Sequence, residues 1–358
     1  MQSSVLSTMS TETASSDLTI NPLEHLQVTL NPDGTLNRDR RFIPVTSAAP
    51  NPTSPTSPVL SKDVPINPAH NTWARIFLPH RAPSYSKEKL PLIVYYHGGG
   101  FILYSAASTV FHEFCVTLAS ELSAVVVSVE YRLAPEHRLP MAYDDAVEAL
   151  HWVKATRDEW LVDHADLSTC YLMGTSAGAN LAFHSGLRAS ASHGDLKPLK
   201  IRGLILHHPF LSGTQRTPSE LRLANNKMLP LVVNDFMWEM SLPVGVTRDH
   251  VHCNPMVDGG SKLSEGVGKM RSLGWRLLVI GCDGDPLIDR QVEFAKMLQE
   301  KGVSVARDFT EGGHHAIEVR EPDERKPLVQ TLKSFLSTTV TDQGVVRPPD
   351  GISTQNVA

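Results

Sequence analysis

The chain has 358 residues, 41% of them hydrophobic and 20% charged, enough to build a sizeable core in one large domain with insertions, or in two. A formal net charge of -5 leaves no basic excess, which argues against nucleic acid and anionic membrane surfaces as partners and for a small or neutral substrate. Four scattered cysteines, Cys115, Cys170, Cys253 and Cys282, form neither a C-x-x-C pair nor a Cys/His ligand spacing, so reduced thiols in a cytosolic protein without a metal site are expected.

The first 16 residues are rich in Ser and Thr and nearly free of large apolar side chains. Residues 1–22 are therefore expected to be disordered, as is the tail 341–358, and Met9 is an alternative start. There is no basic start followed by an apolar core, and Glu12 and Asp17 argue against a transit peptide. No apolar run is long enough to cross a bilayer. Residues 26–30 alternate, Asn31-Pro32-Asp33-Gly34 makes a turn, and residues 35–42 return as the second strand of a hairpin. The Pro- and Ser-rich stretch 44–58 reads as an extended surface connection. Residues 72–78 alternate again as an edge strand, and 79–90 form a polar loop.

The core begins with the apolar run 92–96, which delivers the loop His97-Gly98-Gly99-Gly100-Phe101. Helical spacing at 110–122 and 143–156 flanks a β-branched run at 124–129. Short apolar runs at 170–173, 203–206, 277–281 and 303–309 continue the strands, and 180–188, 291–301 and 327–336 continue the helices. This alternation predicts an α/β fold, a mostly parallel central sheet with helices on both faces. The rhythm breaks between Pro209 and Pro255, where Leu229, Leu231, Val232, Phe236, Met237 and Trp238 keep helical spacing without a core strand. That segment reads as an inserted helical cap, placed at the strand ends where such folds bind ligands.

Gly174-Thr175-Ser176-Ala177-Gly178 lies between a predicted strand and a predicted helix. A G-x-S-x-G sequence there describes a nucleophile elbow, whose tight turn exposes the serine. A serine hydroxyl needs a histidine to take its proton and a carboxylate to orient that histidine. The strand 277–281 opens into Cys282-Asp283-Gly284-Asp285-Pro286-Leu287-Ile288-Asp289. Asp285, just before a helix-starting proline, is the best-placed carboxylate, Asp283 is the runner-up, and Asp289 falls inside the helix. The loop after 303–309 carries Gly312-Gly313-His314-His315, and spacing does not separate its two histidines. Backbone N–H groups of Gly98, Gly99 and Gly100, with that of Ala177, can stabilise the alkoxide formed on an ester carbonyl. Neither the Lys-Ser/Thr of a phosphate loop nor a G-x-G-x-x-G fingerprint is present, so no cofactor is expected. Phe101, His208, Phe236 and Trp238 are expected to line the substrate pocket.

With these motifs in place, the chain resembles the plant carboxylesterases in the hormone-sensitive-lipase branch of the α/β-hydrolases. The likeness spans residues 23–336 and rests also on Tyr131-Arg132-Leu133-Ala134-Pro135-Glu136, Tyr143-Asp144-Asp145, Asp285-Pro286-Leu287 and Gly313-His314-His315-Ala316-Ile317-Glu318. It implies an α/β-hydrolase domain at 23–340, with cap elements at about 23–60 and 211–251. It further implies a triad of Ser176, Asp285 and His315, the histidine being followed by a small and then an apolar residue. His97 and residues 131–136 would brace the oxyanion loop. The implied activity is cofactor-independent hydrolysis of short- to medium-acyl esters of a small hydrophobic molecule, by a monomer or weak homodimer. Two other outcomes are weighed against it: elimination, cyclisation or acyl transfer by the same triad, and a hormone-receptor-like binding protein. The receptors of this fold lack the catalytic histidine, whereas His315 is present here.

Overall fold

The structure, a computed structural model, describes residues 20–39, 41–51, 58–80 and 89–337. The expected disorder at 1–19 and 341–358, the position of Met9 and most of the 79–90 loop fall outside these residues. Pro22 already opens a helix, so order starts ahead of the expected boundary.

The chain begins with α1 (Pro22–Leu26), capped by the Asn21 side chain, and the hairpin β1 (Val28–Leu30) and β2 (Leu36–Arg38). Next come β3 (Val59–Asn67), β4 (Thr72–Pro79), β5 (Leu90–Tyr96), α2 (Thr109–Leu122) and β6 (Val125–Glu130). They are followed by α3 (Met141–Ala155), α4 (Glu159–His164), β7 (Ala165–Thr175), α5 (Ala177–Ala191) and β8 (Ile201–His207). The segment after β8 holds α6 (Pro218–Arg222), α7 (Leu231–Ser241) and α8 (Ser264–Ser272). The chain then runs through β9 (Arg276–Cys282), α9 (Ile288–Glu300), β10 (Ser304–Thr310), α10 (Ile317–Arg320) and α11 (Arg325–Ser337).

Eight strands form one sheet in the order β10-β9-β8-β7-β5-β6-β4-β3. It is parallel from β10 to β6 and antiparallel at β4 and β3. Alternate residues of β5 serve opposite cores: Leu92, Val94 and Tyr96 pack on the side of α3 and α5, Ile93 and Tyr95 on the side of α2 and α11. Burial on both faces explains why the central strands read as continuous apolar runs. The order turns at β5, whose chain neighbour β6 lies on one side and β7 on the other. The loops after β5 and β7 thus emerge side by side, at the kind of crevice where open α/β sheets bind ligands.

One expectation needs correction. The strand read as an edge, β4, lies inside the sheet between β6 and β3. The edge strand on that side, β3, was not foreseen, because Pro65 and a half-exposed polar pattern hide it. Arg75 made β4 look solvated, yet it is only 2% exposed. Its guanidinium makes two bonds to Asp63 of β3, at 2.6 and 2.8 Å, and a third to the carbonyl of Thr46. That third bond, with a bridge between Val45 and Ser108, ties the start of the 44–58 connection to the body of the protein.

The turn from β7 to α5 is held by sterics. Ser176 adopts φ 57° and ψ -118°, a backbone region that costs about 1–3 kcal/mol and persists only where the surroundings impose it. A Cβ on Gly174 would come within 2.1 Å of the Gly178 carbonyl oxygen, and one on Gly178 within 2.0 Å of the Tyr96 carbonyl oxygen. Both obstacles are backbone and cannot step aside. Gly178→Ala is therefore expected to destabilise the protein by about 3 kcal/mol, read as a lowered denaturant midpoint; an unchanged midpoint would contradict this packing.

Candidate active site

Three loops at the C-terminal ends of β7, β9 and β10 converge. His315 Nε2 lies 2.7 Å from Ser176 Oγ, and His315 Nδ1 lies 2.7 Å from Asp285 Oδ2. All three side chains are buried, Asp285 completely. His314 points elsewhere: its Nε2 pairs with Glu321 at 3.0 Å, and the side chain is partly exposed. Ala316, at φ 57°, turns the chain between these histidines and α10. Asp283 accepts the Gly312 amide, and Asp289 accepts the Ser219 amide, so each of those carboxylates holds a loop.

Asp285 has more partners than His315. Its Oδ2 also accepts from His208 Nδ1 and Gln291 Nε2, each at 2.9 Å, and its Oδ1 accepts the Leu287 amide at 2.9 Å. Burial would raise this carboxyl, but its electrostatic interaction with the adjacent His315 and the bonds from His208 and His315 outweigh it and hold the carboxyl well below the usual range. On the far side of His208 stands Glu318, its Oε2 3.4 Å from His208 Nε2 and 3.0 Å from His207 Nε2. Burial also works against the Glu318 charge, and His207 and His208 hold it low. His207 Nδ1 lies 2.9 Å from Thr175 Oγ1, which in turn meets the Tyr95 hydroxyl at 2.8 Å. The polar atoms of His208, Asp285 and His315 are close enough to converge on a cation. However, Nδ1 of both imidazoles is already engaged with Asp285 Oδ2, which leaves hydrogen bonding as the role of this donor set.

The glycine loop after β5 is tied down through its carbonyls. Gly98 O receives His97 Nδ1 at 2.8 Å, Gly99 O receives the amides of Ile102 and Leu103, and Gly100 O receives Ser241 Oγ at 2.9 Å. The amides of Gly99 and Gly100 find no acceptor among the described residues. The first amide of α5, that of Ala177, is one of the N-terminal groups a helix leaves unpaired. Gly98 allows the close approach, since a Cβ there would sit 3.3 Å from Ser176 Cβ and 2.9 Å from the Thr175 carbonyl oxygen. His97 stacks on Tyr131 with ring centroids 4.3 Å apart, and the Tyr131 hydroxyl donates to the His97 carbonyl at 2.8 Å. Farther along, Arg132 pairs with Asp145, and Glu136 accepts from Arg38 of β2. Residues 131–136 thus brace the loop from behind.

A cleft of about 90 Å³ opens on Ser176 and His315. Leu103, Tyr104 and Phe111 line it from one side, Leu229 and Met237 from the α7 segment, and Leu26 from α1. The segment between β8 and β9 and the N-terminal helix therefore meet over the serine, as α1 packs on α7. The four residues expected at the pocket wall lie elsewhere. Trp238 is fully buried and stacks on Phe210 at 4.6 Å; one helical position earlier, Met237 takes the place facing the cleft. Phe101 packs beneath the loop against Tyr143, Phe210 and Trp238. Phe236 packs on the core, and His208 sits below Asp285. Helical spacing indicated an apolar segment here but not its rotation about the helix axis. Gln291 was missed altogether; its place in the first turn of the helix that follows the Asp285 loop is the signal that could have found it.

Residues 93–319 match the family model described as alpha/beta hydrolase fold. The chain is 51% identical to carboxylesterase 20 of Arabidopsis thaliana over 88% of its own length and 96% of the relative's. It is 49% identical to 3-O-acetylpapaveroxine carboxylesterase of Papaver somniferum, over 77% of this chain and 88% of that one. Among solved structures, an esterase of Pyrobaculum calidifontis superposes with a TM-score of 0.63 at 26% identity, covering 79% of this chain and 86% of its own. The chain belongs to the α/β-hydrolase fold family and, within it, to the plant carboxylesterases, hydrolases of carboxylic esters. No described helix is long and apolar enough to cross a membrane.

Proposed function

We propose that this carboxylesterase works through an acyl-enzyme on Ser176, with His315 as general base and Asp285 as the carboxylate that orients it. One observation carries the reading. Asp285 Oδ2, the two nitrogens of His315 and Ser176 Oγ form a line with both hydrogen bonds at 2.7 Å, next to loop amides that find no acceptor among the described residues. Because His315 Nδ1 donates to Asp285, Nε2 keeps its lone pair for the serine proton. Oγ attacks the ester carbonyl, Nε2 takes the proton, and the new oxyanion is met by the N–H groups of Gly99, Gly100 and Ala177. Losing one such donor costs about 10²- to 10³-fold in rate. His315 then protonates the departing alcohol, and water repeats the sequence on the acyl-enzyme.

The narrow apolar cleft favours a short acyl group on a small hydrophobic alcohol. The Papaver relative, named for an acetyl ester, is consistent with that preference. The proposal includes a cytosolic monomer or weak homodimer; four free, buried thiols suit a reducing compartment. A series of 4-nitrophenyl esters tests the chain length. The value of kcat/KM should be highest for acetyl or butyryl and fall by octanoyl; a maximum at octanoyl would overturn the short-acyl preference. The base is tested by a pair of variants. His315→Ala should lower kcat by about 10⁴-fold or more, whereas His314→Ala, which removes a partly exposed pair with Glu321 and a 3.2 Å bond to the His315 carbonyl but nothing that reaches Ser176, should stay within about three-fold. The reverse order would move the base to His314.

A further inference from the structure

Behind the serine line lies a second histidine whose two ring nitrogens both face carboxylates. His208 Nδ1 is 2.9 Å from Asp285 Oδ2, and Nε2 is 3.4 Å from Glu318 Oε2. Nδ1 donates to Asp285, while Nε2 meets Glu318 as an ion-pair contact rather than a hydrogen bond, a contact that is favourable only when the ring is an imidazolium. His208 is fully buried, where an unpaired carboxylate would be costly, so a cation between two anions is the arrangement that balances charge. We propose that His208 is a positioning residue, a buried cation clamped between Asp285 and Glu318 that fixes the Asp285 carboxylate and sets the proton affinity of His315. The proposal rests on the reading of Ser176, His315 and Asp285 given above.

The surrounding groups agree with this assignment. Burial opposes a charge on His208, yet the hydrogen bond to Asp285 and the ion-pair contact with Glu318 prevail and push it up to about 9. Its chain neighbour His207 is lowered, chiefly by burial. As a neutral ring, His207 donates from Nε2 to Glu318 and accepts the Thr175 hydroxyl at Nδ1. From β9, burial pushes the Cys282 thiol up to about 12, so it adds no charge. From α11, Arg325 reaches Glu318 only at its backbone carbonyl, and from α10, Arg320 bonds the Tyr104 hydroxyl at the cleft. The resting cluster therefore holds two carboxylates and one cation. When His315 takes the serine proton the cluster becomes neutral, and the negative charge passes to the oxyanion formed on the ester beside the loop amides.

Replacing His208 by Gln leaves two carboxylates with no cation, and His315 then holds its proton to higher pH. Since kcat/KM requires neutral His315, its acidic limb should move upward by about two pH units. That is the size expected for a unit charge removed from a ring whose centroid is 5.6 Å away, at an effective dielectric near 20. At pH 7 kcat should fall roughly 10- to 100-fold and recover substantially above the shifted limb. Glu318→Gln removes an anion instead, so its limb should stay in place or move down. A limb that does not move in His208→Gln, or one that moves upward in Glu318→Gln, would overturn the proposal. Should His208→Gln fail to fold, ¹⁵N spectra of the histidines in the unmodified protein decide. One ring should remain an imidazolium through pH 8, and its absence refutes the clamp. Ser176→Ala separates the two readings: retained esterase activity would sink the serine mechanism, whereas the charge of the His208 ring is read from the spectra either way.

Discussion

Ser176→Ala is expected to lower kcat for 4-nitrophenyl acetate by roughly 10⁶-fold, with little loss of stability. The loss is large because His315 and Asp285 act only through the serine oxygen; without it, the loop amides and the cleft still bind ester but have no nucleophile to assist. Stability is retained because the turn does not depend on the hydroxyl. The Ser176 amide donates to the His207 carbonyl, and its own carbonyl receives the amides of Ala179, Asn180 and Phe210. Alanine keeps all of these and forfeits only the bond to His315, about 1 kcal/mol. Initial rates with a burst measurement check the first part, and a denaturant midpoint the second. A variant that hydrolyses the ester at near the unmodified rate would remove Ser176 from the mechanism.

What the sequence revealed depended on how local each constraint is. The elbow was legible because Gly174 and Gly178 are dictated by backbone atoms within a few residues, or on the neighbouring β5. The sheet was legible because strands buried on both faces must be continuously apolar, as in residues 92–96 of β5. His314 and His315 could not be told apart by spacing, since what separates them is the pairing of His314 with Glu321 and the turn at Ala316. The wall of the cleft was hidden for a similar reason. The rotation of α7 is set by Trp238 stacking on Phe210, a residue beyond β8, and no periodicity within the insert encodes that contact. His208 was foreseen near the site but on the wrong side of it. Whether the end of a strand faces the cleft or the layer beneath depends on the partner opposite, here Asp285 and Glu318.

The second large effect is expected for Asp285→Asn. The carboxylate accepts four N–H groups, the Leu287 amide at Oδ1 and His208, Gln291 and His315 at Oδ2. An amide has one oxygen, so in either orientation its NH₂ faces a donor. With NH₂ toward Leu287, two N–H groups oppose each other in a buried site. With NH₂ toward His315, the amide donates to Nδ1 and drives the imidazole proton to Nε2, the atom that must accept from Ser176. In both cases the imidazolium formed during attack loses its adjacent anion, and kcat should fall about 10⁴-fold. The fold suffers as well, because His208 keeps a charge with half its compensation gone; breaking such a buried pair costs about 3–5 kcal/mol. The pH dependence has a definite sign. Asp285 is held below its unfolded value, so its contribution to stability is full above about pH 4 and is lost as pH falls through the lowered folded value. The stability gap between the unmodified protein and Asp285→Asn should thus be widest near neutrality and narrow in acid, as read from urea midpoints across pH. A gap that widens in acid, or a kcat within ten-fold of the unmodified enzyme, would mean that Asp285 is not the charged partner of His315.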